Sequence, residues 1–214
     1  ADNDLDLYIV NRGQANRLYR NDGGSTFTGV GPNVGVDDPG DGRAGVTADY
    51  DNDGDLDIFV ANAGSADRLY RNDGGSFVNV APGAGVEDTG GGEGADWGDF
   101  NRDGFPDLYV AKGGAGNLLY VNRRDGTFDE IGVPAGVADV ANGEDVAWAD
   151  YNRDGALDVY VSNHSRGDNR LYRNNRNGTF TDVAVAAGVN DGAGGRSLAW
   201  GDFDHDRDLD LFVV

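Results

Sequence analysis

Cysteine and methionine are both absent from the 214 residues of the chain. Without cysteine, neither a disulfide framework nor a thiolate metal site is possible. Histidine occurs only at His164 and His205, and neither has the Ser or Cys setting that nucleophilic catalysis requires. We therefore expect that the protein is not an enzyme.

Basic residues and long apolar runs are also scarce. Lys and Arg together number 17 against 38 acidic residues, which gives a formal net charge of -21. Phosphate would be repelled by this charge, so nucleic acid is not expected as a partner. No apolar run approaches the length of a membrane span, and we predict no membrane insertion. Because the start Met is missing, we expect the N-terminus to be cut or processed, with no signal peptide remaining in this chain.

Glutamate is rare as well, occurring only four times, so aspartate supplies nearly all of the acidity. The aspartates concentrate in a recurring pattern, Asp-x-Asp/Asn-x-Asp-x-x-x-Asp, at 49–57, 99–107, 150–158 and 202–210. A truncated fifth copy opens the chain with Asp2 and Asp6, and we expect it to hold no ion. Short-armed carboxylates crowded into nine residues repel one another unless a cation lies between them. The pattern therefore predicts a cation site in each complete loop.

The ligand atoms offered by these loops are all oxygens, a set that selects a hard ion, calcium before magnesium. Positions 1, 3, 5 and 9 of each loop offer side-chain oxygens, and position 7 offers its backbone carbonyl, as in the helix–loop–helix calcium loop. The predicted ligands are Asp49, Asp51, Asp53, Asp55 and Asp57; Asp99, Asn101, Asp103, Phe105 and Asp107; Asp150, Asn152, Asp154, Ala156 and Asp158; and Asp202, Asp204, Asp206, Asp208 and Asp210.

The four loops are not equivalent. Loop 49–57 has more carboxylates than loops 99–107 and 150–158, where Asn takes position 3, so we expect it to bind calcium more tightly than those two. Loop 202–210 has Arg207 at position 6, where the other loops have Gly. Gly allows a sharp turn with positive φ, so Arg207 places this last site in doubt. We predict three to four calcium ions per chain.

Short β-branched and aromatic segments surround each loop and repeat every 50 to 52 residues. One strand is predicted before each loop and one after it. The next strand, of the type Arg-Leu-Tyr-Arg-Asn, follows (17–21, 68–72, 118–122 and 170–174), and the last strand begins at a repeated Phe (27, 77, 128 and 180). No helix is predicted. Four short antiparallel strands at this period are typical of β-propeller blades.

The chain is thus predicted to be a single all-β repeat array over 1–214 with about four blades. The approximate repeats are 1–43, 44–93, 94–144 and 145–195, with a partial repeat at 196–214. This array is a partial ring, an excerpt of a larger propeller or part of an assembly. Accordingly, either a homo-oligomer or a longer parent chain could close the ring.

The residues resemble a known family. The segment Gly-Asp-Phe-Asn-Arg-Asp-Gly-Phe-Pro-Asp-Leu-Tyr-Val (98–110), with Asn-Arg-Leu-Tyr-Arg-Asn-Asn (169–175) and Gly-Thr-Phe-Thr-Asp-Val (178–183), resembles the FG-GAP/VCBS repeat of integrin-α-type propellers. Its bacterial and cartilage-acidic-protein-like versions are especially similar. The resemblance implies a calcium-binding β-propeller, usually extracellular or on the cell surface, with calcium held between the first two strands of a blade.

The function expected from these features is a calcium-binding extracellular module that acts in adhesion, in protein interaction or as an assembly scaffold. One alternative is a lectin with sugar sites between blades, and another is a non-catalytic domain attached to a secreted hydrolase or lyase. The partner is thus an unknown protein or glycan. Trp97, Trp148 and Trp200 share one repeat position; they are either sugar platforms or, as we prefer, packing between blades.

Overall fold

The computed structural model describes residues 4–164 and 167–214, which form seventeen strands and four very short helices. The strands make five antiparallel sheets, here called blades 1 to 5 in chain order. The prediction of an all-β propeller is confirmed.

Blades 2, 3 and 4 each have four strands, joined in sequence order by hydrogen bonds. Blade 2 contains β4 (Gly42–Ala48), β5 (Asp57–Asn62), β6 (Arg68–Asn72) and β7 (Phe77–Asn79). Blade 3 contains β8 (Gly92–Gly98), β9 (Asp107–Lys112), β10 (Leu118–Asn122) and β11 (Phe128–Glu130). Blade 4 contains β12 (Gly143–Ala149), β13 (Asp158–Asn163), β14 (Arg170–Asn174) and β15 (Phe180–Asp182).

The two terminal blades have fewer strands. Blade 1 contains β1 (Leu7–Ile9), β2 (Arg17–Asn21) and β3 (Phe27–Gly29), and blade 5 contains β16 (Leu198–Gly201) and β17 (Asp210–Val213). They form separate sheets, so the ring is not closed. The segments of the type Arg-Leu-Tyr-Arg-Asn form strands with the predicted limits.

The expectation of no helix is wrong, because one helical turn follows the last strand of each of blades 1 to 4. These turns are α1 (Gly31–Val34), α2 (Ala81–Ala84), α3 (Gly132–Ala135) and α4 (Ala184–Ala187). Four residues are too few to give a helical periodicity in the sequence. Each turn ends at a Gly in the left-handed conformation, such as Gly85 with φ of 81°. In the described residues, no helix is long and apolar enough to cross a membrane.

The first strands of successive blades, β4, β8, β12 and β16, contact one another in order, as strands do around a propeller axis. Aspartates join neighbouring first strands: Asp96 accepts the backbone N–H of Trp148 at 3.0 Å, and Asp145 accepts that of Leu198 at 3.0 Å. These carboxylates satisfy N–H groups that face the preceding blade, so the blades are held by polar contacts as well as by apolar packing.

The apolar core lies between blades. Trp97 packs against Tyr50 of the preceding blade and Phe128 of its own, with ring centroids 6.4 and 6.0 Å apart. One repeat later, Trp148 packs in the same way against Phe100 and Phe180, at 5.9 and 6.1 Å. The half-buried Trp side chains therefore pack between blades, as preferred from the sequence, because such rings bury a large apolar area.

A Tyr–Asn pair recurs in blades 1, 3 and 4, and it is fully buried in blades 3 and 4. In blade 3, Asn117 donates to the Tyr109 hydroxyl at 3.2 Å, and that hydroxyl donates to the Val137 carbonyl at 2.8 Å. Blade 2 has Phe59 and Asp67 at the two positions, and both are fully buried. The Asp67 Oδ2 atom has no hydrogen-bond partner, so blade 2 contains an unusual buried carboxyl group.

Candidate metal centres

Each complete acidic loop joins the first two strands of a blade. Loop 49–57 joins β4 to β5, loop 99–107 joins β8 to β9, loop 150–158 joins β12 to β13, and loop 202–210 joins β16 to β17. Because the flanking strands are paired and packed, the ends of every loop are fixed.

The aspartate at position 1 organises each loop through backbone N–H groups. Asp49 Oδ1 accepts the N–H of Asp53 at 3.0 Å, and Asp49 Oδ2 accepts that of Gly54 at 3.0 Å. The N–H of the position-6 residue donates to position 1 in the other three loops as well. These bonds turn the backbone around the carboxylate and leave its remaining lone pairs for another partner.

Two positions of every loop have left-handed backbone. Position 6 has φ between 77° and 96°, as the sequence predicted from its glycines. Position 4 is also left-handed, with φ between 56° and 64°, although it is occupied by Asn52, Arg102, Arg153 and His205. Position 4 was not predicted to be left-handed, because two of its residues, Arg102 and Arg153, are of a type that does not mark such backbone.

Arg207 is the one residue other than Gly at position 6, with φ of 77°. Because left-handed backbone costs an L residue about 1 kcal/mol, Arg207→Gly should raise the free energy of unfolding in EDTA by about that amount. Loss of the cation should also raise the affinity of this loop for calcium. Urea denaturation and calorimetric calcium titration measure the two effects.

The control is Gly54→Arg in loop 49–57, where φ is 96° and a side chain would meet open space. It should destabilise the protein by a similar amount. Equal stability of the Arg207→Gly variant and the parent would contradict the account of backbone strain at position 6.

The position-9 aspartate of loops 49–57, 99–107 and 150–158 is held by an asparagine from the third strand of the same blade. The N–H of Asn72 donates to Asp57 at 2.8 Å, and its side-chain amide donates to the Leu56 carbonyl at 3.1 Å. Asn122 and Asn174 make the same two bonds in blades 3 and 4. Sequence reasoning placed these asparagines at strand ends but missed this role, although their repetition after each Leu-Tyr segment was visible.

The structure brings together part of two of the predicted ligand sets. Carboxylate oxygens at positions 1, 3 and 9 lie within 4.8 Å of one another in loops 49–57 (Asp49, Asp51 and Asp57) and 202–210 (Asp202, Asp204 and Asp210). In the other two loops, Asn101 and Asn152 hold position 3 and accept the N–H of position 5 at 2.9 Å. The first and last loops thus have the denser negative charge.

Positions 5 and 7 make other contacts. Position 5 accepts the N–H of position 7 in every loop, as in Asp53 with Asp55, Asp103 with Phe105, Asp154 with Ala156, and Asp206 with Asp208. The Asp55 side chain accepts the N–H of Gly74 at 2.9 Å, and that of Asp208 pairs with Arg153 at 2.6 Å. The two side chains are therefore engaged outside the three-carboxylate clusters.

The test of whether a cation fits these loops lies in their unpartnered oxygens. One buried carboxylate oxygen without a hydrogen-bond donor occurs in each of Asp51, Asp107, Asp150, Asp158 and Asp202. Buried acceptors without partners are rare and costly. A hard cation is a suitable partner for such oxygens, so the residues present fit calcium.

Burial also perturbs the position-9 carboxyls. Desolvation raises the pKa of Asp57 to about 6, that of Asp107 to about 7 and that of Asp158 to about 6, although each accepts a backbone N–H that opposes the shift. A raised pKa indicates that the charged form is poorly compensated by the protein alone.

Neighbouring loops lie side by side and contact each other through position 4. The Asn52 side chain donates to the Gly104 carbonyl at 2.9 Å, and Arg153 reaches loop 202–210 through its ion pair with Asp208. The truncated first copy retains the position-9 arrangement, since Asn21 donates to Asp6 at 2.8 Å. Asp2 lies outside the described residues.

Comparison with known proteins follows the same repeat. The FG-GAP-like repeat family matches residues 1–60, 49–110, 99–161 and 154–213. The chain belongs to the FG-GAP-like repeat family. Its acidic loops and blades are therefore those of a repeat that recurs across nearly the whole chain.

Among curated proteins, the chain is similar to cartilage acidic protein 1. It is 39% identical over 95 residues to that of Xenopus tropicalis, covering 42% of this chain and 14% of the relative. It is 38% identical over 95 residues to that of Homo sapiens, covering 42% and 14%. The chain thus matches only a small part of the length of these relatives.

Among solved structures, the chain is similar to an Agrocybe aegerita lectin that recognises non-reducing terminal N-acetylglucosamine. The TM-score is 0.50 at 18% identity, over 97% of this chain and 60% of the lectin. A match to the V. cholerae biofilm matrix protein Bap1 has a TM-score of 0.46 at 13% identity, over 84% of this chain and 29% of that chain. At 18% identity, the lectin match indicates a shared fold alone.

Proposed function

We propose that the protein is a calcium-binding, extracellular propeller module that acts in adhesion or protein interaction, or as an assembly scaffold. The observation that carries this proposal is the set of buried carboxylate oxygens without hydrogen-bond donors, present in all four loops. Calcium would be held by the side chains at positions 1, 3, 5 and 9 and the carbonyl at position 7. It would neutralise the carboxylates of a loop that joins two strands.

The proposed compartment follows from the ion. Extracellular calcium modules bind with dissociation constants of about 10⁻⁴–10⁻³ M, which match the calcium concentration outside cells. The chain also contains no Cys, so its fold does not depend on whether the compartment is oxidising or reducing. A non-catalytic role agrees with the lack of a nucleophile–base pair in the sequence.

Native mass spectrometry in calcium tests the proposal directly. We expect three to four ions per chain. Asp51→Ala should remove one ion, because Asp51 supplies a buried unpartnered oxygen in loop 49–57. The matched control is Asp129→Asn, which removes a carboxylate charge outside the loops, where Asp129 pairs with Arg123. A chain that binds no calcium at millimolar concentration would exclude the proposal.

A glycan-binding role is the second candidate. It is favoured by an open groove of about 580 Å³ between blades 2 and 3, lined by Arg71, Asn79, Pro82 and Asp125 among others. The polar side chains line the groove together with the apolar ring of Pro82. Small-ligand sites commonly combine apolar walls with a few polar groups. A glycan-array signal that Asn79→Ala abolishes would favour this candidate. Trp97 is not expected to contact the glycan, because it packs between blades.

A further inference from the structure

Loops 99–107 and 150–158 are each contacted by an arginine side chain from a hairpin of the same blade. Arg124 contacts Asp103, the position-5 aspartate of loop 99–107, through Nη2 at 2.9 Å and Nε at 3.1 Å. Arg176 contacts Asp154, the position-5 aspartate of loop 150–158, through Nη2 at 2.9 Å, and it also donates to the Asp154 carbonyl. The same pairing therefore occurs twice, one repeat apart.

The hairpin after the third strand fixes both arginines in place. The N–H of Arg124 donates to Asn122 Oδ1 at 2.8 Å, and that of Arg176 donates to Asn174 Oδ1 at 2.8 Å. Both arginines have left-handed backbone, with φ of 65° and 60°. The asparagines are those that hold position 9 of the same loops, so one residue positions both an acidic ligand and the competing guanidinium.

Blade 2 lacks this cation. The residue that corresponds to Arg124 is Gly74, whose N–H donates to Asp55 at 2.9 Å. Arg71, the nearby arginine of that blade, forms an ion pair with Asp73 at 2.9 Å. Asp53, at position 5, accepts only the N–H of Asp55 among the contacts that the structure shows for its side chain.

We propose that Arg124 and Arg176 are internal competitors that lower the calcium affinity of loops 99–107 and 150–158 relative to loop 49–57. A guanidinium on a position-5 carboxylate repels an incoming divalent ion and occupies one of its ligands. The module would then contain two classes of site, one filled at lower calcium than the other. This inference rests on the proposed calcium binding.

The test compares two adjacent arginines of one hairpin. Arg124→Gln removes the charge on loop 99–107, whereas Arg123→Gln removes an equal charge from Arg123, which pairs with Asp129 at 2.9 Å on β11. Calorimetric titration with calcium, together with native mass spectrometry at limiting calcium, measures affinity and occupancy. We expect the Arg124→Gln chain to bind the ion of loop 99–107, one of its two weaker ions, about threefold to tenfold more tightly.

A gain-of-charge variant provides the reciprocal test. Gly74 already has left-handed backbone, with φ of 66°, and open space beside it. Gly74→Arg should therefore weaken the tightest site by a similar factor, while the melting temperature in EDTA reports folding. If both Arg124→Gln and Gly74→Arg bind calcium like the Arg123→Gln control, the inference is wrong. If the unaltered chain binds no calcium, the proposed function fails first, and the two failures are distinguishable.

Discussion

Chelation of calcium with EDTA is expected to lower the melting temperature by about 15–30 °C. Calcium at a hundredfold excess over its dissociation constant adds about 2.7 kcal/mol per ion, or about 8 kcal/mol for three ions. In a domain of this size, about 1 kcal/mol corresponds to a shift of 2–4 °C. The physical source is the set of buried carboxylates, which repel one another when no cation is bound.

Differential scanning calorimetry with EDTA and then with excess calcium measures this effect and its reversal. Asp51→Ala should show a smaller loss on chelation, because one site is already disabled, whereas Asp129→Asn should behave like the unaltered chain. A melting temperature that is the same in EDTA and in calcium would show that the loops do not depend on the ion.

A double variant, Phe59→Tyr with Asp67→Asn, is expected to remove a pH dependence of stability that arises in blade 2. Desolvation by burial raises the pKa of Asp67 to about 7. Asp88 raises it further, while Lys112 and Arg68 oppose the shift. Lys112 itself pairs with Asp88 at 2.6 Å, so its charge is shared with another carboxylate.

The direction of this pH dependence follows from the pKa of Asp67 in the folded and in the unfolded chain. In the unfolded chain, Asp67 titrates near its ordinary pKa of about 3.9, so between about pH 4 and pH 7 the folded state binds the extra proton. The contribution of Asp67 to stability is therefore fully present below about pH 4 and is lost as the pH rises through about 7. The loss amounts to about 2–4 kcal/mol.

The double variant Phe59→Tyr with Asp67→Asn rebuilds the pair seen at Tyr109 and Asn117. It should be more stable than the unaltered chain by about 2–4 kcal/mol at pH 8 and nearly equal to it at pH 4. Asp67→Asn alone should gain less, because its amide would face the Phe59 ring without an acceptor. Urea denaturation in EDTA across this pH range measures the differences.

The matched control is Asn117→Asp, which places a carboxyl at the same position in blade 3. It should introduce the pH dependence that the double variant removes, moderated by the Tyr109 hydroxyl nearby. Parallel stability curves for all of these chains from pH 4 to pH 8 would contradict a buried, proton-binding Asp67.

The sequence predicted the blades well because their signals are local and repeated. The strands of the type Arg68–Asn72 are bounded by turn residues and recur at one spacing, so their limits could be read directly. The one-turn helices were missed because a single turn has no periodicity. Their signal was the Gly that follows each one, which has φ of 73° to 89°.

The ligand positions could be read from spacing, but the partners that organise them could not. Asn72 lies fifteen residues from Asp57, and Arg124 lies twenty-one from Asp103. Such contacts depend on how the third strand pairs with the second, which spacing along the chain does not specify. The Asp67 exception required a comparison between blades, because only the structure showed that the corresponding residue of blade 3, Asn117, is paired with Tyr109.

The aromatic packing between blades has a consequence for how such a chain can change in length. Trp97 meets Tyr50 across one junction as Trp148 meets Phe100 across the next. A duplicated unit of about fifty residues would therefore find a complementary surface on either side, without new contacts having to evolve. Gene duplication could lengthen or shorten the array in whole units, whereas an insertion of half a unit would leave one Trp without a neighbouring ring.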